Sequence, residues 1–182
     1  MKASAEWKLG DPFDDDTLVG PMNNEPTAAK MDAHVEDAIA KGAEVVLGGS
    51  RESGRPTDLY YQPTVLTNVA VETLINRDET FGPIVPLILV DGDDHALAVA
   101  NDSHLGLQAA VYTKSLKRAF RYLDALQVGN VVVNDSTDYW EAHEPFGGAS
   151  GTRSGWGRIG GRYTMLDMTD LKTVVLDVGG LD

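Results

Sequence analysis

From Pro26 to Lys41, apolar residues fall at Ala28, Met31, Val35, Ala38 and Ile39. That spacing predicts a helix with one buried face, and Gly42 suits its C-terminal cap. Glu44-Val45-Val46-Leu47 is a short strand candidate closed by Gly48-Gly49, and Tyr60 to Val69 reads as extended, interrupted by Pro63. Pro83 to Val90 is apolar throughout, the pattern of a strand covered on both faces. Asp93 to Asn101 predicts a helix with acidic residues at its positive end, Gln108 to Thr113 a strand, and Leu116 to Leu126 a helix ended near Gly129. Val131-Val132-Val133 predicts a further buried strand. Strand and helix alternating at short spacing argue for an α/β fold, a parallel sheet flanked by helices.

Two stretches fall outside that alternation. Lys8 to Asn24 is rich in Gly, Pro, Asp and Asn and predicts a surface loop. Asp135 to Tyr163 is a long loop region holding Tyr139, Trp140, His143 and many glycines; loops of that length in compact domains are usually functional or disordered. A last extended run, Thr173 to Val178, lies beyond the strand-helix repeats.

Composition narrows the function classes. The 182 residues carry a net charge of -13, which disfavours nucleic acid and anionic membranes as partners. No run approaches the ~20 apolar residues of a membrane span, and the amino end lacks a signal-like apolar core, so a soluble cytoplasmic protein is the default reading. There is no cysteine, which excludes disulfides, thiolate metal sites and a thiol nucleophile within these residues. His34, His95, His104 and His143 show no ligand spacing, so no metal site is expected.

Three features could carry chemistry. Gly155-Trp156-Gly157-Arg158-Ile159-Gly160 matches the dinucleotide fingerprint by letter, but a loop precedes it where a strand is required, and a tight backbone turn is the better reading. His143, between Glu141 and Glu144, is either a proton shuttle or a partly exposed loop histidine. Glu79, beside Phe81 and the Gly82-Pro83 turn, could accept hydrogen bonds from a ribose-like diol while the ring packs on a flat heterocycle. A solvated turn glutamate is the alternative, because Glu79 stands at the amino end of its strand and ligands of open α/β sheets sit outside the carboxyl ends.

The order of landmarks adds to this. Leu9-Gly10-Asp11-Pro12-Phe13-Asp14, Gly20-Pro21 and Tyr61-Gln62-Pro63-Thr64-Val65 come first. Glu79-Thr80-Phe81-Gly82-Pro83, Ala100-Asn101-Asp102-Ser103, Gly106-Leu107 and Ala110-Val111-Tyr112-Thr113 follow. Gly129-Asn130-Val131-Val132-Val133-Asn134 and Pro145-Phe146-Gly147-Gly148 close the series. From about Leu9 to Val178 the chain resembles the carboxyl-terminal part of an NAD(P)-dependent aldehyde dehydrogenase.

The resemblance implies a partial catalytic domain over residues 1–170 and a C-terminal oligomerisation strand and tail over 171–182. It implies that Glu79 holds the nicotinamide ribose and Phe81 flanks the nicotinamide ring of NAD or NADP. It makes Thr137, Tyr139, Trp140, His143 and Phe146 the candidates for the tunnel that admits a small aldehyde. Residues 173–178 resemble the strand that pairs with a neighbouring subunit in a homo-oligomer. The family's nucleophilic cysteine, general-base glutamate and cofactor domain precede the matching segment, so no catalytic residue is assigned here. Met1 falls inside what resembles a family helix, so a segment of a longer enzyme is expected, inactive by itself. The alternatives are a CoA-acylating or semialdehyde dehydrogenase relative, or a naturally truncated oligomerisation module. One departure stands out: the family often reads Pro-Phe-Gly-Gly-x-Lys-x-Ser-Gly, whereas here Ala149-Ser150-Gly151-Thr152-Arg153 intervenes before Ser154-Gly155 and the lysine is missing.

Overall fold

Asn24 starts the longest element. Its side chain accepts a hydrogen bond from the Thr27 amide at 2.9 Å, and Pro26 occupies the first turn, where no amide partner is needed. In the structure, a computed structural model that describes residues 2–180, this helix follows a short first turn, α1 (Lys2–Ala5). The helix itself, α2, spans Glu25–Ala40 and buries Ala28, Met31, His34, Val35 and Ala38 along one face. Ile39, expected on that face, is half exposed. Gly42 then adopts φ +95°, the left-handed conformation that ends the helix.

The chain divides into two compact units, one up to Ala96 and one from Leu97. In the first unit, β1 (Glu44–Leu47) pairs antiparallel with β2 (Thr64–Thr67), and β2 pairs in parallel with β3 (Ile84–Pro86). β2 is therefore central, and its Thr64, Val65 and Leu66 are buried. Leu66, Val69, Ala38, Ala43 and Ile75 form the core cluster, with Ile84 and Ile88 packed on it; Ile75 comes from α3 (Leu74–Arg77). Arg51, in the loop between β1 and β2, grips α2: its guanidinium donates two bonds to Glu25 at 2.7 and 2.8 Å and one to Asp32 at 2.8 Å. A planar fork matched to two carboxylates fixes both position and rotation of the helix.

Next comes α4 (Gly92–Asn101). The second unit contains β4 (Gln108–Val111), α5 (Leu116–Ala125), β5 (Asn130–Val133) and α6 (Gly161–Asp167). β4 and β5 pair in parallel, Gln108 opposite Asn130 through Val111 opposite Val133. Two asparagines brace this pair. Asn101 accepts from the Gln127 amide and donates to the Ala125 carbonyl, while Asn134 accepts from the Thr113 amide and donates to the Thr113 carbonyl, all at 2.8–2.9 Å. Asn134 so extends the ladder past the last strand residue, with its own backbone at φ +63°.

The helix-flanked sheets agree with the expected α/β class, parallel at β2–β3 and β4–β5 and antiparallel only where β1 joins β2, and two strand expectations are corrected. The apolar run Pro83–Val90 yields only three strand residues, and Val85, Leu87, Leu89 and Val90 are exposed. β3 is an edge strand, Pro86 cannot donate to a ladder, and no described element of its unit covers its outer side. β5 is half-buried along its length instead of fully buried. Thr173–Val178, expected to pair with a neighbouring subunit, pairs with no described strand of this chain, and Val174, Val175, Leu176 and Val178 are 63–88% exposed. Leu181 and Asp182, the end of the expected tail, lie outside the described residues. No described helix is long and apolar enough to cross a membrane.

Candidate functional site

In the first unit the turn Glu79–Pro83 is set by what lies beneath it. α3 ends at Arg77, where the Asp78 amide closes on the Leu74 carbonyl at 2.8 Å, and the chain then turns into β3. Pro83 accepts a bond from the Thr64 amide at 2.8 Å, tying the far end of the turn to the central strand. Between those ends, α2 supplies three contacts. Lys30 Nζ donates to the Glu79 carbonyl at 2.7 Å and sits 5.5 Å from the centre of the Phe81 ring. His34 Nδ1 and Thr80 Oγ1 share a hydrogen bond at 3.0 Å. Gly82 lies so close to the Met31 side chain that a Cβ would collide with it.

The result is an over-determined turn that displays two groups. Phe81 has φ +56°, a left-handed conformation that costs an aromatic residue roughly 1–2 kcal/mol and persists only where neighbours enforce it. Its ring is 71% exposed, and the Glu79 carboxylate is exposed beside it. An exposed carboxylate next to a largely exposed aromatic ring fits a vicinal diol attached to a flat ring. His34, by contrast, is 3% exposed. Burial lowers its pKa below the ordinary histidine value and Lys30 adds to this, while Asp78 and Asp37 oppose it, so the ring is neutral at neutral pH.

In the second unit a cleft of about 400 Å3 opens beside β5. Tyr139, Trp140 and Phe146 line it, together with Asn130, Asp135 and Glu144. Trp140 and Phe146 meet edge to face, ring centres 6.2 Å apart at 68°. Gln108 donates to the Tyr139 carbonyl at 3.1 Å and holds the loop to β4. The negative field raises the Tyr139 pKa, Glu144 first, with Glu141 and Asp135 contributing. Thr137 and His143 are exposed and are not among the residues lining the cleft. Sequence reasoning thus named three of the lining residues and left out the polar ones, Gln108, Asn130, Asp135 and Glu144, and the three valines of β5.

The glycine-rich stretch behaves as a turn. Gly155, Gly157 and Gly160 have φ of +84°, +88° and +104°, and no strand leads into the motif. A Cβ on Gly129 would strike the Gly147 carbonyl, and one on Gly160 the Glu144 carbonyl, so backbones here touch directly. The lengthened loop is anchored without the family's lysine. Ser154 Oγ accepts from the Gly106 amide at 3.0 Å, Arg153 donates its amide to His104 at 2.7 Å, and Arg158 donates to the Gly148 carbonyl at 2.8 Å. Among the described residues no group of His, Asp or Glu is arranged to hold a metal ion.

Comparison with known proteins follows the same pattern. The family model for the aldehyde dehydrogenase family matches residues 1–174. The probable NADP(+)-dependent succinate-semialdehyde dehydrogenase of Sinorhizobium fredii is 41% identical over 96% of this chain, which covers 34% of that protein. The mitochondrial succinate-semialdehyde dehydrogenase of Arabidopsis thaliana is 37% identical over 96% of this chain, which covers 32% of it. Among solved structures, aldehyde dehydrogenase 21 of Physcomitrella patens, in complex with the reaction product succinate, superimposes with a TM-score of 0.87. It is 35% identical, and the match covers 99% of this chain and 36% of that one. The chain spans about a third of the length of these relatives.

Proposed function

The chain belongs to the aldehyde dehydrogenase family, and we propose that it is the carboxyl-terminal segment of the catalytic domain of an NAD(P)-dependent enzyme that oxidises an aldehyde to a carboxylic acid. The observation that carries this reading is the Glu79–Pro83 turn, which presents an exposed carboxylate and an exposed ring from a backbone held by α2. Glu79 accepts hydrogen bonds from the nicotinamide ribose, and Phe81 packs against the nicotinamide. The coenzyme, when bound, supplies the hydride acceptor. In the second unit the cleft wall of Tyr139, Trp140 and Phe146 excludes water from the apolar part of the substrate. With no cysteine in the 182 residues, the nucleophile comes from elsewhere in the complete enzyme.

The cleft also bears on the substrate. Relatives are named for succinate semialdehyde, an anion, whereas the described lining offers Asp135 and Glu144 and no cationic side chain. A carboxylate-bearing substrate would need its cation from another segment, and a neutral, bulky aldehyde suits this wall better. Self-association through residues 173–178 would give their exposed apolar side chains a partner.

The test is an activity assay on the purified 182-residue chain and on the complete enzyme, with the same aldehydes and either coenzyme. Turnover is expected only from the complete enzyme, and oxidation of an aldehyde by the isolated chain would refute the assignment of the nucleophile.

A further inference from the structure

We propose that His34 is a positioning residue for coenzyme binding, acting through Thr80 to hold Glu79 and Phe81 in their displayed geometry. This rests on the reading of Glu79 and Phe81 as the coenzyme's contacts. On the apolar face of α2, between Met31 and Val35, His34 is the only strongly polar side chain among the buried residues of that helix. A polar group buried there needs a partner, and its partner is the one side chain lying between Glu79 and Phe81 in sequence. The hydroxyl ties Thr80 to α2, while the neighbouring α2 contacts fall on the Glu79 carbonyl and beside Gly82. Take the hydroxyl bond away and one of the contacts that enforce φ +56° at Phe81 is lost, loosening the ring and the preceding carboxylate within a turn still tied at both ends. The imidazole is suited to this because it is neutral, planar and fixed in a helix, so the bond has one length and one direction.

The test uses the complete enzyme and measures the dissociation constant for NAD(P) alongside KM and kcat. Thr80→Val is expected to weaken coenzyme binding roughly three- to tenfold, the loss of one hydrogen bond, with kcat at saturating coenzyme changed far less. Thr80→Ser, which keeps the hydroxyl, restores the affinity. His34→Phe weakens binding by a similar factor, and the double variant is no worse than either single one, because both remove the same bond. If His34→Phe fails to fold, Thr80→Val and its serine rescue carry the test. Glu79→Gln separates the two layers of the argument. If it weakens binding while Thr80→Val and His34→Phe bind as the parent does, the strut is wrong and the ribose contact stands. If Glu79→Gln also leaves affinity unchanged, the contact itself is wrong and the strut falls with it.

Discussion

The turn at Glu79–Pro83 and the loop at Asp135–Gly160 both present aromatic rings, yet different contacts dominate in each. The turn is held by side chains of a neighbouring helix, Lys30, Met31 and His34 each reaching a successive part of it. The base of the loop rests on direct backbone packing, Gly147 against Gly129, and on amide-to-carbonyl bonds between Phe146 and Ile159 of 2.8–2.9 Å, with Gln108, Ser154 and Arg158 side chains tying it further. The first arrangement fixes one geometry for the groups that the turn displays. The second fixes the base of a loop and leaves its rings to be exchanged without disturbing the frame.

The sharpest way to break that comparison is to add one methyl group to each. Gly160→Ala puts a Cβ into the Glu144 carbonyl at a position with φ +104°, so neither neighbour nor backbone can relax. It is expected to destabilise the second unit by about 3 kcal/mol or more, seen as a lowered unfolding midpoint in urea. Gly82→Ala meets only the flexible end of Met31, and its cost should stay near 1 kcal/mol. Equal costs at the two sites would show that the turn is as rigid as the loop base.

Much of this was legible in the sequence, and the limits are physical. α2, α4, α5 and β5 came out close to their predicted bounds because a helical or continuous apolar period reports local geometry directly. Gly42 is local as well, a cap at φ +95°. Pro83–Val90 misled because an apolar run reports that cover is wanted, not that these residues supply it. His34 was dismissed for want of ligand spacing, since its partner Thr80 lies 46 residues away. One signal was available: a histidine falling on an otherwise apolar helical stripe must find a partner somewhere.

Two smaller effects sharpen the contrast. His34 has a folded pKa below its ordinary value, so the unfolded chain binds the extra proton first as pH falls. Stability of the first unit should therefore be full above about pH 6.5 and decline below it, and a His34→Gln variant should lose that part of the decline. The second unit has no counterpart among its described buried residues. Smallest of all for folding is Val175→Asp, at a side chain 88% exposed. It should leave the unfolding midpoint within about 0.5 kcal/mol while reducing self-association on a sizing column. An unchanged assembly would detach residues 173–178 from any role in pairing.

The most direct measurement is a crystal structure of the complete enzyme with NAD(P) bound. The Glu79 carboxylate is expected within hydrogen-bond reach of the nicotinamide ribose hydroxyls, the Phe81 ring against the nicotinamide, and Thr80 still bonded to His34. A ribose held by other side chains, with Glu79 pointing into solvent, would contradict the account at its centre.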